Sequence, residues 1–377
     1  MEVKLATSSE RQVWINDYLT EYLRESAFMP YMGKGKNSIF RVRSELQNEA
    51  GKIINIPIIG RQKGSGVSGA QLLEGNEDDL DNWNTQVSIE WQRKAVVVPK
   101  STSYLTEIDL LNAARDGLKE WSAERLRDSL IDALGQVVIP GSTSDDPDTV
   151  VSYASATSSQ LNAYLAKNDD RVLFGATKTN NSSNNWANSL ANIDATADKM
   201  SSAIGSAAKR MAKMAGGISA TDTNARTRIT PFKTADGREY YVMFTNPWAF
   251  RDLKTDTVIS NANREARARE GNGMDKNPIF QDGDVIYDGV IYREVPELAQ
   301  LTIAGADANS KDVAQNFLCG QTAVGIAWGQ QPTPRTRTFD YGFRSGVGIE
   351  ELRGQRKTSV TGTQFGMVSV LTSGIAD

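Results

Sequence analysis

The longest helical pattern of apolar residues in the chain lies at residues 107–134. Apolar side chains recur there at spacings of three and four residues, and charged residues occupy most positions between them. The apolar positions that we expect to pack are Leu111, Leu118, Trp121, Leu126 and Leu130. Thr106 followed by Asp109 is typical of a helix start, and Gly135 followed by Pro140 predicts its end. Such a helix is about 40 Å long.

A long hairpin is predicted immediately before this helix. Residues 53–59 form an apolar run, residues 60–90 are glycine-rich and then polar, and residues 87–98 are apolar again. At roughly 3.3 Å per residue, two such arms reach tens of ångströms from their base. An isolated two-stranded ribbon is only marginally stable in water. We therefore expect the hairpin to rest on another surface, and a neighbouring copy of the chain is the simplest candidate.

Shorter patterns predict the remaining elements. Helices are predicted at 10–26, 159–167, 193–214 and 247–253. Strands are predicted at 38–42, 172–174, 238–245, 285–287, 290–295, 315–328, 335–343, 346–353 and 358–371. The segment 141–185 is rich in Ser, Thr, Asn and Asp, and we interpret it as a surface-exposed excursion.

Composition and charge exclude several classes of function. The 377 residues are 39% hydrophobic and 23% charged, which is ordinary for a soluble globular protein. A net charge of -4 provides no basic field of the kind that marks a dedicated nucleic-acid binder. Histidine is absent, which removes Ser-His-Asp and Cys-His catalysis and the commonest zinc ligand. The single cysteine, Cys319, cannot form an intramolecular disulfide and is predicted to be buried. No secretion signal or transmembrane run is recognisable.

Three motifs resemble cofactor, metal or catalytic sites, but each lacks a feature that the site requires. Gly64, Gly66 and Gly69 have the spacing of a dinucleotide fingerprint, but the residues after them lack the periodicity of the helix that such a site requires. The acidic residues of segment 74–81 lack the spacing of a calcium loop and are interpreted as a solvated or intersubunit charge patch. Glu350 and Glu351 are neighbours on a predicted strand, so they point to opposite faces and cannot form a glycosidase pair. We expect no enzymatic activity, cofactor or metal.

The segment Gly66-Val67-Ser68-Gly69-Ala70-Gln71-Leu72-Leu73-Glu74-Gly75-Asn76-Glu77, together with the return strand and the helix at 109–121, resembles a family of tailed-bacteriophage major capsid proteins. Members of that family have the Hong Kong 97-type fold, in which an extended hairpin, the E-loop, leads into a spine helix. The Leu-Glu-Gly-Asn-Glu signature in this context is fairly specific. The resemblance covers most of the chain and is thinnest at 141–185.

The resemblance implies an α+β fold with five regions. Residues 1–50 would form an N-terminal arm and helix, and residues 51–100 the E-loop. Residues 101–185 would belong to the peripheral domain, with the spine helix at 107–134 and the excursion at 141–185. Residues 186–327 would form the axial domain, and residues 328–377 would return as strands of the peripheral domain.

The resemblance also implies a function: a shell subunit of a tailed double-stranded DNA phage. Copies would assemble in the host bacterial cytoplasm as hexamers and pentamers, clasped by E-loops and N-terminal arms, with scaffolding, portal and possible cement proteins as partners and no membrane involved. An encapsulin-like compartment of the same fold is the alternative. The expected E-loop contacts are Lys63, Gly64, Gly66, Gly69, Leu72, Leu73, Glu74 and Glu77. Candidates for non-specific contact with packaged DNA are Arg41, Arg43, Arg125 and Arg127.

Overall fold

The computed structural model describes residues 27–47, 51–59, 66–69, 72–74, 77, 82–105, 109–141, 148–215, 228–234, 237–266, 280–281, 284–298, 300–302 and 312–375. The predicted helix at 10–26 lies outside these ranges. The described chain mixes helices and sheets, so the expected α+β class is confirmed.

Seven α-helices occur in the described ranges: α1 (Lys100–Tyr104), α2 (Leu110–Gly135), α3 (Ser158–Lys167), α4 (Trp186–Ala191), α5 (Ser202–Met214), α6 (Pro247–Thr255) and α7 (Thr257–Ala266). The strands of the same ranges are β1 (Met32–Gly33), β2 (Phe40–Arg43), β3 (Ile53–Ile59), β4 (Asn82–Ser88), β5 (Glu90–Pro99), β6 (Val137–Ile139), β7 (Thr149–Val151), β8 (Val172–Phe174), β9 (Phe232–Lys233), β10 (Glu239–Thr245), β11 (Phe280–Gln281), β12 (Asp284–Tyr287), β13 (Val290–Glu294), β14 (Gln300–Thr302), β15 (Asp312–Cys319), β16 (Val324–Phe339), β17 (Arg344–Lys357), β18 (Ser359–Val360), β19 (Thr363–Gln364) and β20 (Met367–Ser373).

The first large sheet has five strands in the order β1-β2-β16-β17-β5. Strands β16, β17 and β5 are antiparallel neighbours, whereas β2 pairs in parallel with both β1 and β16. Helix α2 packs on one face of this sheet, where Leu118 contacts Val347 and Ile349. The helix and the β16–β17 ribbon therefore form one layered unit.

The second sheet has nine strands, with the main order β11-β12-β13-β10-β15-β20-β8 and with β14 and β9 attached to β15 and β10. Helices α5 and α6 cover one side, where Ile204 and Phe250 join a cluster with Met243 and Tyr292. Another cluster joins this sheet to the first: Leu130 of α2 lies with Phe244 of β10 and Val324 of β16. The two sheets thus share apolar contacts at the end of α2.

Strands β3 and β4 form a separate antiparallel hairpin, in register from Ile53 opposite Ser88 to Ile59 opposite Asn82. Burial alternates along β3, as expected for a strand with one covered face. Ile54 and Ile56 are buried against Val87 and Ile89. The hairpin is therefore attached through one apolar face at its base.

Several predicted boundaries agree with the structure. The long helix spans Leu110–Gly135, and the side chain of Asp109 caps it by accepting hydrogen bonds from the backbone N–H groups of Leu111 and Asn112. Thr106 lies outside the described ranges, and Gly135 is the last helical residue instead of the residue after the end. Helix α3 begins one residue before its predicted start, with a capping box between Thr157 and Gln160.

The predicted return arm of the hairpin at 87–98 is wrong. The arm that pairs with β3 is β4 (Asn82–Ser88), whereas β5 (Glu90–Pro99) pairs with β17 in the five-stranded sheet. The chain changes partner at Ile89, whose N–H donates to the carbonyl of Lys52. The order of polar and apolar residues does not show which strand a segment pairs with. The segment at 87–98, predicted as one strand of the hairpin, is divided between two sheets.

The surface position predicted for 141–185 agrees with most of its described part, 141 and 148–185, but is wrong for a group of buried residues. Tyr164, Leu165 and Phe174 are buried together with Trp186. Strand β8 is the edge of the nine-stranded sheet and runs parallel to β20. The polar composition reflects capping and loop residues, which alternate with a small apolar core.

Other elements are shorter or divided. The helix predicted at 193–214 begins only at Ser202, after its cap Ser201. The strand predicted at 315–328 is two strands, β15 and β16, and the strand predicted at 358–371 consists of the β18–β19 hairpin followed by β20. Strand β20 also joins the nine-stranded sheet instead of returning to α2.

Among the described helices, none combines the length and the apolar character that a membrane span requires.

Candidate functional site

The paired arms of the β3–β4 hairpin are covered on one face and exposed on the other. Ile56 and Val87 pack beside Gly325 of β16, where a side chain would collide with Ile56. The hydroxyl of Thr85 donates to the carbonyl of Ser359 at 2.8 Å. On the other face, Ile53 and Ile59 are 48% and 66% exposed. One face of the hairpin is therefore part of the molecule's core, and the other is open to contact.

The described tip residues are exposed. Gly66 and Gly69 have φ of 63° and 71°, a conformation that favours glycine, and a Cβ at either would meet no heavy atom within 4 Å. Leu72 and Leu73 are 72% and 63% exposed, and Glu74 and Glu77 are also exposed. Lys63 and Gly64 lie outside the described ranges. Since residues 66–69 and 72–74 are not helical, the glycine spacing does not form the strand–helix turn of a dinucleotide site.

The five apolar positions predicted for α2 all lie on its packed side. Leu118 and Leu130 are buried, at 3% and 0% exposure. Leu111 and Trp121 are partly buried against the cluster of Leu118, and Leu126 is partly buried against that of Leu130. The ammonium of Lys94 on β5 lies 5.2 Å from the centre of the Trp121 ring, which is a cation–π contact.

A buried ion pair fixes α2 to the five-stranded sheet. The guanidinium of Arg353 donates to Glu351 at 2.8 Å, and the hydroxyl of Ser122 on α2 donates to the other oxygen of Glu351 at 3.0 Å. Arg353 also donates to Gln92 of β5 at 2.9 Å. Burial lowers the pKa of Arg353, and the hydrogen bond to Glu351 opposes that shift. In the sequence, Glu351 stands out only as a neighbour of Glu350, and no pattern there indicates this role.

A second buried polar group lies between the end of β17 and the nine-stranded sheet. The ammonium of Lys357 donates to the side-chain oxygen of Gln364 at 3.3 Å, and the hydroxyl of Tyr164 donates to the same oxygen at 2.7 Å. Burial lowers the pKa of Lys357 to about 7. Arg171 donates to the carbonyls of Gln364 and Phe365. No sequence pattern marks these residues as a group, because they come from distant segments.

Cys319 is buried as predicted, at 0% exposure, and burial raises the pKa of its thiol. Its sulphur lies in the apolar cluster that joins the two sheets. A thiol with a raised pKa and no exposure is not a reactive nucleophile. Cys319 is therefore a packing residue.

The four arginines considered for DNA contact have different surroundings. Arg43 is paired with Glu45 at 2.9 Å, and Arg127 is paired with Glu297 and Asp128, both at 3.1 Å. Arg41 is half-buried on β2, and burial lowers its pKa. Arg125 is exposed on α2. The four lie on two elements, and of these Arg125 is the most accessible to a phosphate.

The described residues contain no group of acidic, histidine or cysteine side chains arranged to hold a metal ion. Glu350 accepts a hydrogen bond from Arg335 at 2.6 Å, whereas Glu351 is buried against Ser122 and Arg353. The two carboxylates therefore serve different faces of the sheet, as the strand geometry predicted. The most prominent exposed features are the hairpin tip and the distal end of the β16–β17 ribbon, both of which suit contacts between proteins.

Comparison with known proteins agrees with this geometry. A family model described as phage capsid protein matches residues 4–374. The major capsid protein of Pseudomonas phage KPP25 is 27% identical over 358 residues, covering 92% of this chain and 89% of that protein. The capsid asymmetric unit of cyanophage Pam1 is 38% identical with a TM-score of 0.85 and covers 100% of both chains. The capsid of Ralstonia phage GP4, at 21% identity and a TM-score of 0.74, covers 100% of this chain and 99% of the other, and supports the fold.

These matches are to phage capsid proteins, so they do not favour the encapsulin-like alternative. The family is one of structural proteins of the virion and not of enzymes. Because the family model covers nearly the whole sequence, the chain belongs to the phage capsid protein family and is a major capsid protein.

Proposed function

We propose that this chain is a Hong Kong 97-type shell subunit whose β3–β4 hairpin is the E-loop, and that the hairpin lies on a neighbouring copy. The observation that carries the proposal is the exposure of large apolar side chains on the hairpin: Ile59, Leu72 and Leu73 are 66%, 72% and 63% exposed, whereas Ile56 on the covered face is 1% exposed. Adjacent exposed apolar side chains of this size are typical of an interaction surface. Contact with another copy would remove them from water.

In this proposal copies assemble as hexamers and pentamers that close into an icosahedral head. The unit of α2 and the five-stranded sheet serves as the peripheral domain, and the nine-stranded sheet with α5 and α6 serves as the axial domain that meets its copies around each ring. The solved relative from cyanophage Pam1 is itself a capsid asymmetric unit. Closed symmetry repeats each pairwise contact, so modest pair energies add up to a stable container.

The remaining partners belong to the same proposal. Residues 1–26 serve as the N-terminal arm that holds a neighbouring copy, whereas Phe28, Ile39 and Phe40 of the predicted arm are buried in the subunit's own core. Assembly takes place in the host bacterial cytoplasm. Scaffolding, portal and cement proteins are the expected partners of the shell. Packaged double-stranded DNA is contacted non-specifically by scattered arginines, because the net charge of -4 provides no continuous basic surface.

Deletion of residues 62–70 tests the role of the hairpin. The deletion includes the exposed residues Gly66 and Gly69, and long surface loops contribute little to stability, so the subunit should stay soluble and folded. It should fail to form closed shells because the clasp cannot reach its neighbour. A Gly/Ser replacement of the same length separates the loss of reach from the loss of side chains.

Circular dichroism and urea unfolding report folding, while sedimentation velocity and electron microscopy report assembly. The proposal predicts wild-type folding and no shells for the deletion. Normal particles from the folded deletion variant would show that the hairpin is not the clasp.

A further inference from the structure

A cavity lies between helix α5 and the loop that follows strand β8. It has a volume of about 470 Å³ and is lined by ten residues. Two of them, Leu173 and Ala215, are buried in the apolar cluster of the nine-stranded sheet, whereas Ala207 and Met211 are only partly buried against that cluster. Met214, at the end of the helix, is 52% exposed. The described part of the chain therefore covers this side of the core incompletely.

One wall of the cavity is a single side of α5. Its four lining residues recur at spacings of three and four, so they lie along one side of the helix: Ala207, Arg210, Met211 and Met214. The ammonium of Lys209 forms an ion pair with Asp288, in the turn between β12 and β13, at 2.8 Å. This ion pair fixes the helix to the sheet and directs Lys209 away from the lining residues.

The other wall is the loop at 175–180, which the buried carboxylate of Asp198 holds in place. Gly175 has a φ of 62°, and a side chain there would collide with that carboxylate. Asp198 accepts hydrogen bonds from the backbone N–H of Ala176 at 2.6 Å and from the side-chain amide of Asn180 at 3.1 Å. The wall is therefore formed before any ligand binds, which lowers the conformational entropy lost on binding.

Two cationic side chains line the cavity, Lys178 from the loop and Arg210 from α5. Both are exposed, and neither forms an ion pair with any residue that the structure describes. The one acidic lining residue, Asp170, has an oxygen 3.6 Å from Nε of the buried Arg171. The cavity thus combines an apolar floor with two cations whose charge is not neutralised by a neighbouring carboxylate.

We propose that this cavity binds an amphipathic anion, such as a medium-chain carboxylate. The apolar tail lies over Leu173, Ala207 and Met211, and the carboxylate lies near Lys178 and Arg210. Methionine side chains adapt readily to the shape of an apolar ligand. The site is separate from the hairpin, and the inference goes beyond the proposed shell function without resting on it.

The size of the cavity favours a small molecule over a protein partner. Small-molecule sites have volumes of roughly 300–1,000 Å³ and are mostly apolar with a few polar groups, as this cavity is. A specific protein interface takes roughly 20–30 residues a side, whereas ten residues line this cavity. The ligand class is therefore set by an apolar volume of limited size next to two cations.

Calorimetric titration of the full-length, unassembled chain with sodium decanoate, below its micelle concentration, tests the site. The wild type should bind one decanoate per chain. Lys178→Gln with Arg210→Gln should weaken binding about tenfold or more, because both charge-assisted contacts are lost. Lys167→Gln with Arg238→Gln removes the same charges from exposed side chains that do not line the cavity, and should bind like the wild type.

A second pair of measurements tests the location and the charge preference. Ala207→Leu places a larger side chain in the cavity and should abolish binding, with urea unfolding as the check that the variant is folded. Decyltrimethylammonium has the same tail with a cationic head and should not bind. If Ala207→Leu does not fold, the charge variants still decide the question.

Three results would overturn the proposal: no saturable binding of decanoate, equal binding by the Lys178 and Arg210 variant, or equal binding of the cationic amphiphile. Binding of an acidic amphipathic peptide without binding of decanoate would also overturn it, in favour of a protein contact. Shell formation is observed separately by electron microscopy, so failure of this site leaves the proposed function intact.

Discussion

Individual side chains on α2 differ more in burial than their sequence pattern suggests. Leu130 is 0% exposed within the cluster that joins both sheets, whereas Trp121 is partly exposed at the edge of a smaller cluster. The periodicity correctly assigns both to the packed side. It does not show how much protein covers each, because that depends on strands more than 190 positions away, such as β16.

Substitution of Leu130 and of Trp121 by Ala should show their difference in burial as a difference in lost stability. Leu130→Ala leaves a cavity in a fully enclosed core and should lower the free energy of unfolding by about 3 kcal/mol. Trp121→Ala removes a partly exposed ring and a cation–π contact, so the loss should be smaller, about 1–2 kcal/mol. Urea unfolding of the unassembled subunit would measure both. A larger loss for Trp121 than for Leu130 would contradict the packing described here.

Lys357 provides a prediction with a defined pH dependence. Burial lowers its folded-state pKa from 10.5 to about 7, so between these values the unfolded chain binds a proton that the folded chain does not. Stability therefore rises as pH increases from 7 to 10.5, and the penalty is fully present below pH 7. Lys357→Met should remove the penalty and stabilise the subunit at pH 7 by on the order of 2–4 kcal/mol.

The advantage of Lys357→Met should shrink as pH approaches 10.5, which distinguishes it from a simple packing gain. Gln364 still accepts a hydrogen bond from Tyr164 in the variant, so no buried acceptor loses its last partner. Urea midpoints of the two proteins at pH 7 and pH 9.5 provide the measurement. An equal difference at both pH values would mean that Lys357 does not titrate in this range.

At the scale of elements, the hairpin shows how one predicted strand can be shared between two sheets. Alternation along β3 was enough to predict a strand, and the structure confirms 53–59 as its bounds. The extent of the return arm was not predictable, because β4 and β5 are separated by one residue and the sequence does not show which of them pairs with β3. The change of partner at Ile89 depends on contacts with β16 and β17, which lie much later in the chain.

Two isoleucines on opposite faces of β3 test how the hairpin is anchored. Ile56→Ala removes a side chain that fills the space above Gly325 and should cost about 2–4 kcal/mol of subunit stability. Ile59→Ala changes a side chain that is 66% exposed and should leave stability within about 0.5 kcal/mol of the wild type. Thermal and urea unfolding would measure the first effect, and light scattering during assembly would show whether Ile59 matters between copies. Equal losses of stability would contradict a hairpin that is anchored through one face only.

At the scale of the whole molecule, charge determines what the subunit can do with DNA. The chain carries a net charge of -4, and of the four candidate arginines two are held in ion pairs by Glu45, Asp128 and Glu297. Binding to phosphates should therefore be weak, sensitive to salt and indifferent to sequence. This is the behaviour expected of an inner shell surface.

Arg125→Ala should reduce the salt dependence of DNA binding by roughly one counterion, because Arg125 is exposed on α2. Arg127→Ala is the matched control and should have less effect, since Glu297 and Asp128 already neutralise that guanidinium. Fluorescence anisotropy with unrelated duplexes over a range of salt concentrations would compare them. A preference of about a thousandfold for one duplex would contradict non-specific contact.

The local elements that depend on neighbouring residues were predictable from the sequence. Helix α2, strand β3 and the helix at 247–253 follow from spacing and capping, which act over a few residues. The sheet partners of β5 and β20, the burial of α3 and β8, and the Glu351–Arg353 and Lys357 groups depend on tertiary contacts. These features join segments far apart in the chain, and sheet pairing depends on shape and burial at both partners, which no single segment encodes.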